Sequence, residues 1–184
     1  MTGSIVVNFI GAPSVGKSLM AALTFAELKH KHKSAELIQE FAKTLVWQGR
    51  FEELNNQWYV SNSQYKMLKA VDSKVDYICT DSALILGLLY NRYHKDNVSD
   101  IAKTERMILD KMDEFRNIYI LLERGDFPYE TIGRIHTEEE SNEIQERLKM
   151  LLDEFSIRYF KVKSSKDSLE QIIQYIETAG LEIL

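Results

Sequence analysis

Residues 11–18 read Gly11-Ala12-Pro13-Ser14-Val15-Gly16-Lys17-Ser18 and match the pattern G-x-x-x-x-G-K-[ST] at every fixed position. The two glycines permit backbone angles that residues with a Cβ resist, so successive N–H groups can turn inward around an anion. The lysine of this pattern reaches the β- and γ-phosphates of a nucleotide, and the hydroxyl of its last residue ligates Mg²⁺. The stretch from Gly11 to Leu19 is therefore predicted to bind ATP, with Ser18 as a ligand of Mg²⁺.

The segments on either side of this loop support that interpretation. The apolar run from Ile5 to Ile10 is typical of a buried strand, and the residues from Leu19 to Lys29 have the apolar spacing of a helix. The partial positive charge at the N-terminus of that helix would face the bound phosphates. A strand-to-helix turn that contains glycine but binds no ligand is the alternative.

The composition is that of a globular protein, with 45% hydrophobic and 28% charged residues in a chain of 184. This length favours one domain over residues 1–184, because two domains would have small cores. The net charge of 23 − 28 = −5 does not favour a general nucleic-acid binder. The only cysteine, Cys79, can form no intrachain disulfide, and no apolar run reaches membrane-spanning length. We therefore expect a cytoplasmic protein without a membrane partner, whose oligomeric state stays open, a homodimer being one option.

Five predicted strands alternate with helices along the chain. Together with the loop, this alternation predicts an α/β fold of the P-loop NTPase type, nucleoside- or nucleotide-kinase-like, with a five-stranded parallel sheet, helices on both faces and a lid. The predicted strands are Ile5–Ile10, Ala35–Gln39, Val75–Asp81, Asn117–Leu122 and Arg158–Val162. The predicted helices are Leu19–Lys29, Phe41–Trp47, Phe51–Val71, Ala83–Tyr93, Asp100–Phe115, Thr137–Phe155 and Asp167–Ala179, the last stopped by Gly180.

Two carboxylates stand at the ends of predicted strands, where ligands bind in parallel sheets. Asp81 ends an apolar strand in the Walker B pattern, whose carboxylate orders Mg²⁺, so Ser18 and Asp81 are the predicted metal residues. The alternative for Asp81 is a cap of the helix that begins near Ala83. Glu40 follows the second strand and can hold or accept the proton of an acceptor hydroxyl. The alternative for Glu40 is an acid that only complements a helix N-terminus.

Arginines border the loop after the fourth strand. Arg124 and Arg134 flank a stretch that contains glycine and proline, and Arg147 lies in the helix that follows. Guanidinium groups that close over a transferring phosphoryl group stabilise its spread charge, and a lid excludes water. Residues 123–147 are therefore predicted to form a lid, with surface charges of no catalytic role as the alternative. The predicted catalytic residues are Lys17, Glu40, Asp81, Arg124 and Arg134.

Signatures of several other P-loop classes do not occur in the sequence. A small GTPase would need Asn-Lys-x-Asp, and a transport ATPase would carry Leu-Ser-Gly-Gly; the chain contains neither. A ring-forming motor ATPase usually adds a helical lid domain, for which this length leaves no room. The small kinase architecture remains, in which an acceptor pocket lies beside the sheet.

Four segments follow the order of a known group, namely Gly11–Ser18, Glu40–Lys43, Thr80–Ser82 and Arg124–Arg134. In this order the chain resembles the small P-loop kinases related to the ribosylnicotinamide kinase domain of bacterial NadR proteins. Phe41 and Lys43 stand where that group has Tyr and Arg. Related kinases encoded by bacteriophages act on modified pyrimidine nucleotides, some of them within DNA. The resemblance implies a kinase, located in the host cytoplasm if it is phage-encoded.

The sequence thus predicts an ATP- and Mg²⁺-dependent phosphotransferase acting on a hydroxyl of a nucleoside or nucleotide-like acceptor. Residues 47–65 concentrate the aromatic rings and amides that a planar acceptor needs. One alternative is a kinase acting on hydroxymethylated pyrimidine bases in DNA, for which residues 29–33 with Lys43 and Arg50 would have to form a basic groove. Another is a regulatory P-loop ATPase or nucleotide switch, which would lack an acceptor pocket beside Glu40.

Overall fold

The computed structural model describes residues 3–125 and 138–182. Within these ranges five strands form one sheet, in the order β2-β3-β1-β4-β5, and every neighbouring pair is parallel. The strands are β1 Ile5–Ile10, β2 Ala35–Ile38, β3 Tyr77–Thr80, β4 Arg116–Glu123 and β5 Phe160–Lys163. The predicted α/β class and the five-stranded parallel sheet are confirmed, and every predicted strand overlaps an observed one.

Helices cover both faces of this sheet. They are α1 Lys17–His30, α2 Phe41–Gln48, α3 Phe51–Leu54, α4 Gln57–Val71, α5 Leu84–Tyr93, α6 Ile101–Met112, α7 Glu138–Glu154 and α8 Leu169–Glu182, with a short 3-10 turn at Lys166–Ser168. Successive side chains of the central strand enter different cores, as the period of a strand requires. Val6 and Ile10 pack with residues of α4 to α7, whereas Val7 and Phe9 pack with residues of α1 and α8. Burial on both faces explains why β1 is a nearly continuous apolar run.

The single helix predicted from Phe51 to Val71 is wrong, because the chain breaks between α3 and α4. Asn56 is the N-cap of α4, and its side chain accepts the backbone N–H of Tyr59 at 3.0 Å. The Asn55 side chain is turned to another partner, since its Oδ1 lies 2.8 Å from Nε2 of His94. The two asparagines therefore end one helix and begin the next within an otherwise amphipathic stretch.

The prediction that Gly180 stops the last helix is also wrong, because α8 continues to Glu182. A Cβ on Gly180 would lie 3.1 Å from Cδ1 of Ile5, in the central strand. The missing side chain thus lets α8 pack closely against β1. In the described residues no helix is both long and apolar enough to cross a membrane. The single domain over residues 1–184 stays a prediction.

Candidate functional site

The carboxyl ends of four strands bring most of the predicted site residues to one edge of the sheet. The phosphate loop follows β1, Glu40 follows β2, Asp81 follows β3 and Arg124 follows β4. Because neighbouring strands run in the same direction, these ends meet in one crevice, the usual ligand position in such sheets. The crevice also lies at the centre of the sheet, where β1 is flanked by β3 and β4.

The phosphate loop, residues 11–18, has a backbone that depends on positive φ angles. Gly11 and Gly16 have φ values of 147° and 88°, and Ser14 has a φ of 62°. A Cβ on Gly11 would lie 2.8 Å from Cγ2 of Val15 and 2.9 Å from the carbonyl oxygen of Leu122. Position 11 therefore requires glycine both for its angle and for its space.

The Lys17 ammonium lies over the loop to which it belongs. Its Nζ donates to the carbonyl oxygens of Gly11 at 2.9 Å and Ala12 at 2.8 Å, and the side chain is half-buried. Phosphate oxygens carry charge and accept hydrogen bonds more strongly than these carbonyl groups do. The position fits a lysine that exchanges carbonyl contacts for phosphate contacts. Leu19, the last residue predicted to contact the nucleotide, is 40% exposed in the first turn of α1.

Ser18 and Asp81 form the second part of the site. The Ser18 hydroxyl donates to Oδ2 of Asp81, which is only 5% exposed. The other carboxylate oxygen of Asp81 is buried and has no hydrogen-bond partner among the described residues. The N-cap of α5 is Ala83, and this helix has no side-chain cap. The geometry thus disfavours capping by Asp81, while an adjoining hydroxyl and carboxylate with an unpaired oxygen fit the oxygen ligands that Mg²⁺ prefers.

Glu40 is held at the turn from β2 to α2. It is the N-cap residue of α2, but its side chain makes no capping hydrogen bond. The turn is attached to α4 by Gln64, which is 3% exposed. Oε1 of Gln64 accepts from N–H of Phe41 at 2.9 Å, and its Nε2 donates to the carbonyl oxygen of Gln39 at 3.3 Å. Gln64 therefore orients the backbone on both sides of Glu40.

A cavity of about 120 Å³ opens between the phosphate loop and helices α2, α4 and α5, and we call it the helical pocket. Lys17 and Glu40 both line it. Most of the other lining residues are apolar, with a few amides and hydroxyls among them, which is typical of a small-molecule site. They are Pro13, Ala42, Lys43, Val46, Leu54, Gln57, Val60, Ser61, Gln64, Ser82, Ala83, Leu84, Leu86, Gly87, Tyr90 and His94.

Two helices meet closely at one wall of the helical pocket. A Cβ on Gly87 of α5 would lie 2.5 Å from Oγ of Ser61 on α4. The Ser61 hydroxyl is buried and has no hydrogen-bond partner among the described residues. The glycine therefore allows the close approach of α4 and α5 that bounds this side of the pocket.

The predicted arginines have different outcomes. Arg124 is half-buried directly after β4, at the same edge as the phosphate loop. Arg134 and residues 126–137 of the predicted lid lie outside the described residues, whereas the last part of the predicted lid, residues 138–147, belongs to α7. Arg147 is bound elsewhere, because its Nη2 donates to Glu143 at 2.8 Å and its guanidinium lies 4.6 Å from the centre of the Tyr93 ring. Arg147 thus has a structural partner on each side.

The segment expected to supply rings and amides contributes only its amides. Gln57 and Gln64 line the helical pocket, whereas Trp47 is 64% and Trp58 39% exposed, and neither lines it. Among the described residues, the aromatic rings that line the pocket are those of Tyr90 and His94, and neither was predicted from the sequence. Tyr90 lies on α5 three residues after Gly87, and His94 follows four residues later, directly after the end of that helix. The spacing of three and four residues can be read from the sequence and indicates a shared face. In an apolar helix such as α5, however, it does not indicate which face lines a cavity.

The basic residues considered for a nucleic-acid groove do not lie together. Residues 29–33 form the last turn of α1 and the residues just after it, about 20 Å from the phosphate loop at the rise of a helix. Lys31 forms an ion pair with Glu177 at 3.2 Å, while Lys43 lines the helical pocket. Arg50 forms an ion pair with Glu53 at 2.9 Å, and this hydrogen bond raises the pKa of its guanidinium. The tract at residues 29–33 therefore does not contribute to the pocket.

The parallel sheet, the glycine-dependent loop after its central strand and the Ser18–Asp81 pair define a P-loop nucleotide-binding fold. The chain belongs to a family whose description is AAA domain, since the model of that family matches residues 6–171. No curated protein matches the chain by sequence.

Solved structures share the fold at low sequence identity. A NadR protein in complex with NR is 17% identical, with a TM-score of 0.71, and covers 96% of this chain and 52% of its own. A NadR protein with NAD and AMP-PNP is 15% identical, with a TM-score of 0.65, and covers 96% and 50%. The YorR protein of Bacillus subtilis in complex with phosphorylated GDP is 19% identical, with a TM-score of 0.57, and covers 96% and 98%. The chain thus spans about half the length of the NadR proteins, and the resemblance to this group is confirmed at the level of the fold.

Proposed function

We propose that this protein is an ATP- and Mg²⁺-dependent kinase that phosphorylates a hydroxyl of a nucleoside or nucleotide-like acceptor. The observation that carries the proposal is the helical pocket, which has Lys17 of the phosphate loop on its wall and Glu40 beside it. A phosphoryl donor on the loop would therefore lie next to a mostly apolar space suited to a ring. The neighbouring structures support the proposal, because their ligands include AMP-PNP, NR and phosphorylated GDP.

Each residue of the site would have a definite part in the transfer. Lys17 and the loop amides hold the β- and γ-phosphates. Ser18 and Asp81 would hold Mg²⁺, which neutralises charge on the phosphates when bound. The acceptor oxygen bonds to the γ-phosphorus as the bond from phosphorus to the bridging oxygen of ADP breaks, and Glu40 takes the hydroxyl proton. Arg124 and Arg134 would stabilise the charge on the transferring group.

The test is a screen of ATP consumption with Mg²⁺ against nucleosides, nucleotides and DNA that contains hydroxymethyluracil. We expect one acceptor class to raise ADP release well above the rate without acceptor, with a phosphorylated product visible by mass spectrometry. The Glu40→Gln variant should lose this stimulation and keep ATP binding, because the amide cannot take the proton. Stimulation by DNA alone would favour the base kinase over the nucleoside kinase.

The family match favours a second candidate, a regulatory ATPase or nucleotide switch, because its description is AAA domain. In that case ATP hydrolysis would proceed at its full rate without any acceptor. The helical pocket beside Glu40 is the feature that such a protein does not need. ADP release that no member of the panel changes, and that Glu40→Gln leaves intact, would favour this second function.

A further inference from the structure

The helix α7 is attached to the phosphate loop by two side chains that lie one turn apart. Oγ of Ser141 donates to the carbonyl oxygen of Pro13 at 2.8 Å. Oε1 of Gln145 accepts from the backbone N–H of Ala12 at 2.7 Å. Residues four apart lie on the same face of a helix, so both contacts come from one face of α7. Neither residue belongs to the loop pattern or to the roles proposed above.

The orientation of the Gln145 carboxamide is determined by its partners. Its Nε2 donates to the carbonyl oxygen of Leu122 at 3.2 Å, in β4. A backbone N–H can only donate and a carbonyl can only accept, so the amide cannot be reversed. Gln145 thus joins the loop to the neighbouring strand. A Cβ on Gly11 would lie 3.6 Å from Oε1 of Gln145, which shows that the amide also packs against the first glycine.

These contacts occupy the first half of the loop. Ser141 is fully buried, and Ala12 and Pro13 are buried as well. Buried backbone groups must find partners within the protein, and here two of them find partners on α7. The contacts do not involve Gly16 or Lys17, at the helix N-terminus where the phosphates are expected. The attachment therefore supports Ala12 and Pro13 in the first half of the loop. It leaves Gly16 and Lys17 to contact the nucleotide.

We infer that Ser141 and Gln145 are positioning residues that hold the phosphate loop in its nucleotide-binding form, so that ATP affinity depends on α7. This inference rests on the proposed binding of ATP by the loop. If the two contacts are lost, the loop must be ordered when ATP binds, and the cost of that ordering lowers the affinity. The Michaelis constant for the acceptor should rise less than that for ATP, because neither residue lines the helical pocket and only Pro13, whose carbonyl Ser141 binds, does so.

The experiment measures the ATP dissociation constant by calorimetry, together with the Michaelis constants for ATP and acceptor and the melting temperature without ligand. Ser141→Ala, which removes one hydrogen bond, should weaken ATP binding by about fivefold. Gln145→Met, which removes two hydrogen bonds at similar length, should weaken it by about tenfold. Gln145→Glu should also weaken binding, because a carboxylate cannot donate to the Leu122 carbonyl. Glu146→Gln is the matched control, since the exposed Glu146 forms an ion pair with Lys149 in the next turn, its one partner within residues 3–125 and 138–182, and the change should leave all constants unchanged.

The outcomes separate the inference from the proposed function. An unchanged ATP dissociation constant in folded Ser141→Ala and Gln145→Met, with a lower melting temperature, would overturn the positioning role and leave a structural one. An equal rise of the ATP and acceptor constants would overturn it too. A wild-type protein that does not bind ATP would instead refute the proposed function itself, and the inference with it.

Discussion

The phosphate loop takes its shape from eight consecutive residues, whereas the helical pocket is assembled mostly from side chains between Glu40 and His94, on helices α2 to α5 and the turns beside them. The loop depends on backbone angles, above all at Gly11 and Gly16. The pocket depends on long-range contacts such as those of Gln64 with the turn before α2. Changes in the loop should therefore act chiefly on the donor whatever the acceptor, although Pro13 and Lys17 also line the pocket. Changes on the helices of the pocket should act chiefly on the acceptor.

The largest effect is expected on the donor side from Lys17→Ala. Without the ammonium, nothing replaces its charge at the β- and γ-phosphates, so kcat should fall by about 10²- to 10³-fold with every acceptor. The half-buried side chain contributes little to the core, and the circular dichroism spectrum should not change. Normal turnover by a folded variant would refute the role of Lys17 at the phosphates of the donor.

A smaller effect on the same side is expected from Asp81→Asn. Activity should fall by about 10- to 100-fold at low Mg²⁺ and recover in part as Mg²⁺ is raised, because an amide oxygen carries no charge for the metal. Asparagine caps helices as well as aspartate does, so a capping role would predict almost no loss. Near-normal activity across a Mg²⁺ titration would return Asp81 to a structural role.

The next expected effect concerns Arg134, in the part of the predicted lid that lies outside the described residues. Lysine keeps the charge at this position but loses the planar fork that can bridge two phosphoryl oxygens. Arg134→Lys should lower kcat by at least about tenfold, with ATP affinity nearly unchanged. Equal kcat at saturating ATP and acceptor, with chemistry shown to be rate-limiting, would refute a catalytic role.

On the acceptor side, Gln64→Leu should lower kcat/KM for the acceptor by about tenfold, because the turn that carries Glu40 loses two hydrogen bonds. The Michaelis constant for ATP should stay within about twofold of the wild-type value, because substitutions usually have little effect on a site with which they share no contacts. Gln48→Leu is the control, since Gln48 is an exposed amide on α2 whose hydrogen bond in the described part of the chain is to the exposed Arg50. A parallel change in both Michaelis constants would show that the two sides are not separable.

The smallest effect is expected from thiol reagents. Cys79 is buried in β3, and burial raises the pKa of its thiol to about 12. The thiolate is the reactive form, so at pH 8 the folded protein should react much more slowly than the protein unfolded in urea. A colorimetric thiol assay in both states measures the difference. Rapid labelling of the native protein with loss of activity would mean that the sheet opens at the site.

The sequence predicted the loop and the five strands because their signals are local. A buried parallel strand is a continuous apolar run, and the loop pattern specifies its own backbone. The break at Asn55 and Asn56 was missed because the apolar period continues across it, and only the capping bond of Asn56 reveals it. Tyr90, His94, Ser141 and Gln145 were missed because their roles come from partners distant in the sequence. The backbone of the phosphate loop could thus be predicted in advance, and the lining of the helical pocket only in part.

The contact of Gly87 with Ser61 has a consequence for the redesign of this protein. A Cβ at position 87 on α5 would lie 2.5 Å from the Ser61 hydroxyl oxygen on α4. The space at this wall of the pocket therefore holds either that hydroxyl or a Cβ at position 87, but not both. The space can be filled from α5 instead of α4, for example by pairing Gly87→Ala with Ser61→Gly. Removing the hydroxyl alone would enlarge the chamber for a bulkier ring. Under the proposed function, a protein engineer could in this way alter the choice of acceptor without changing the phosphate loop.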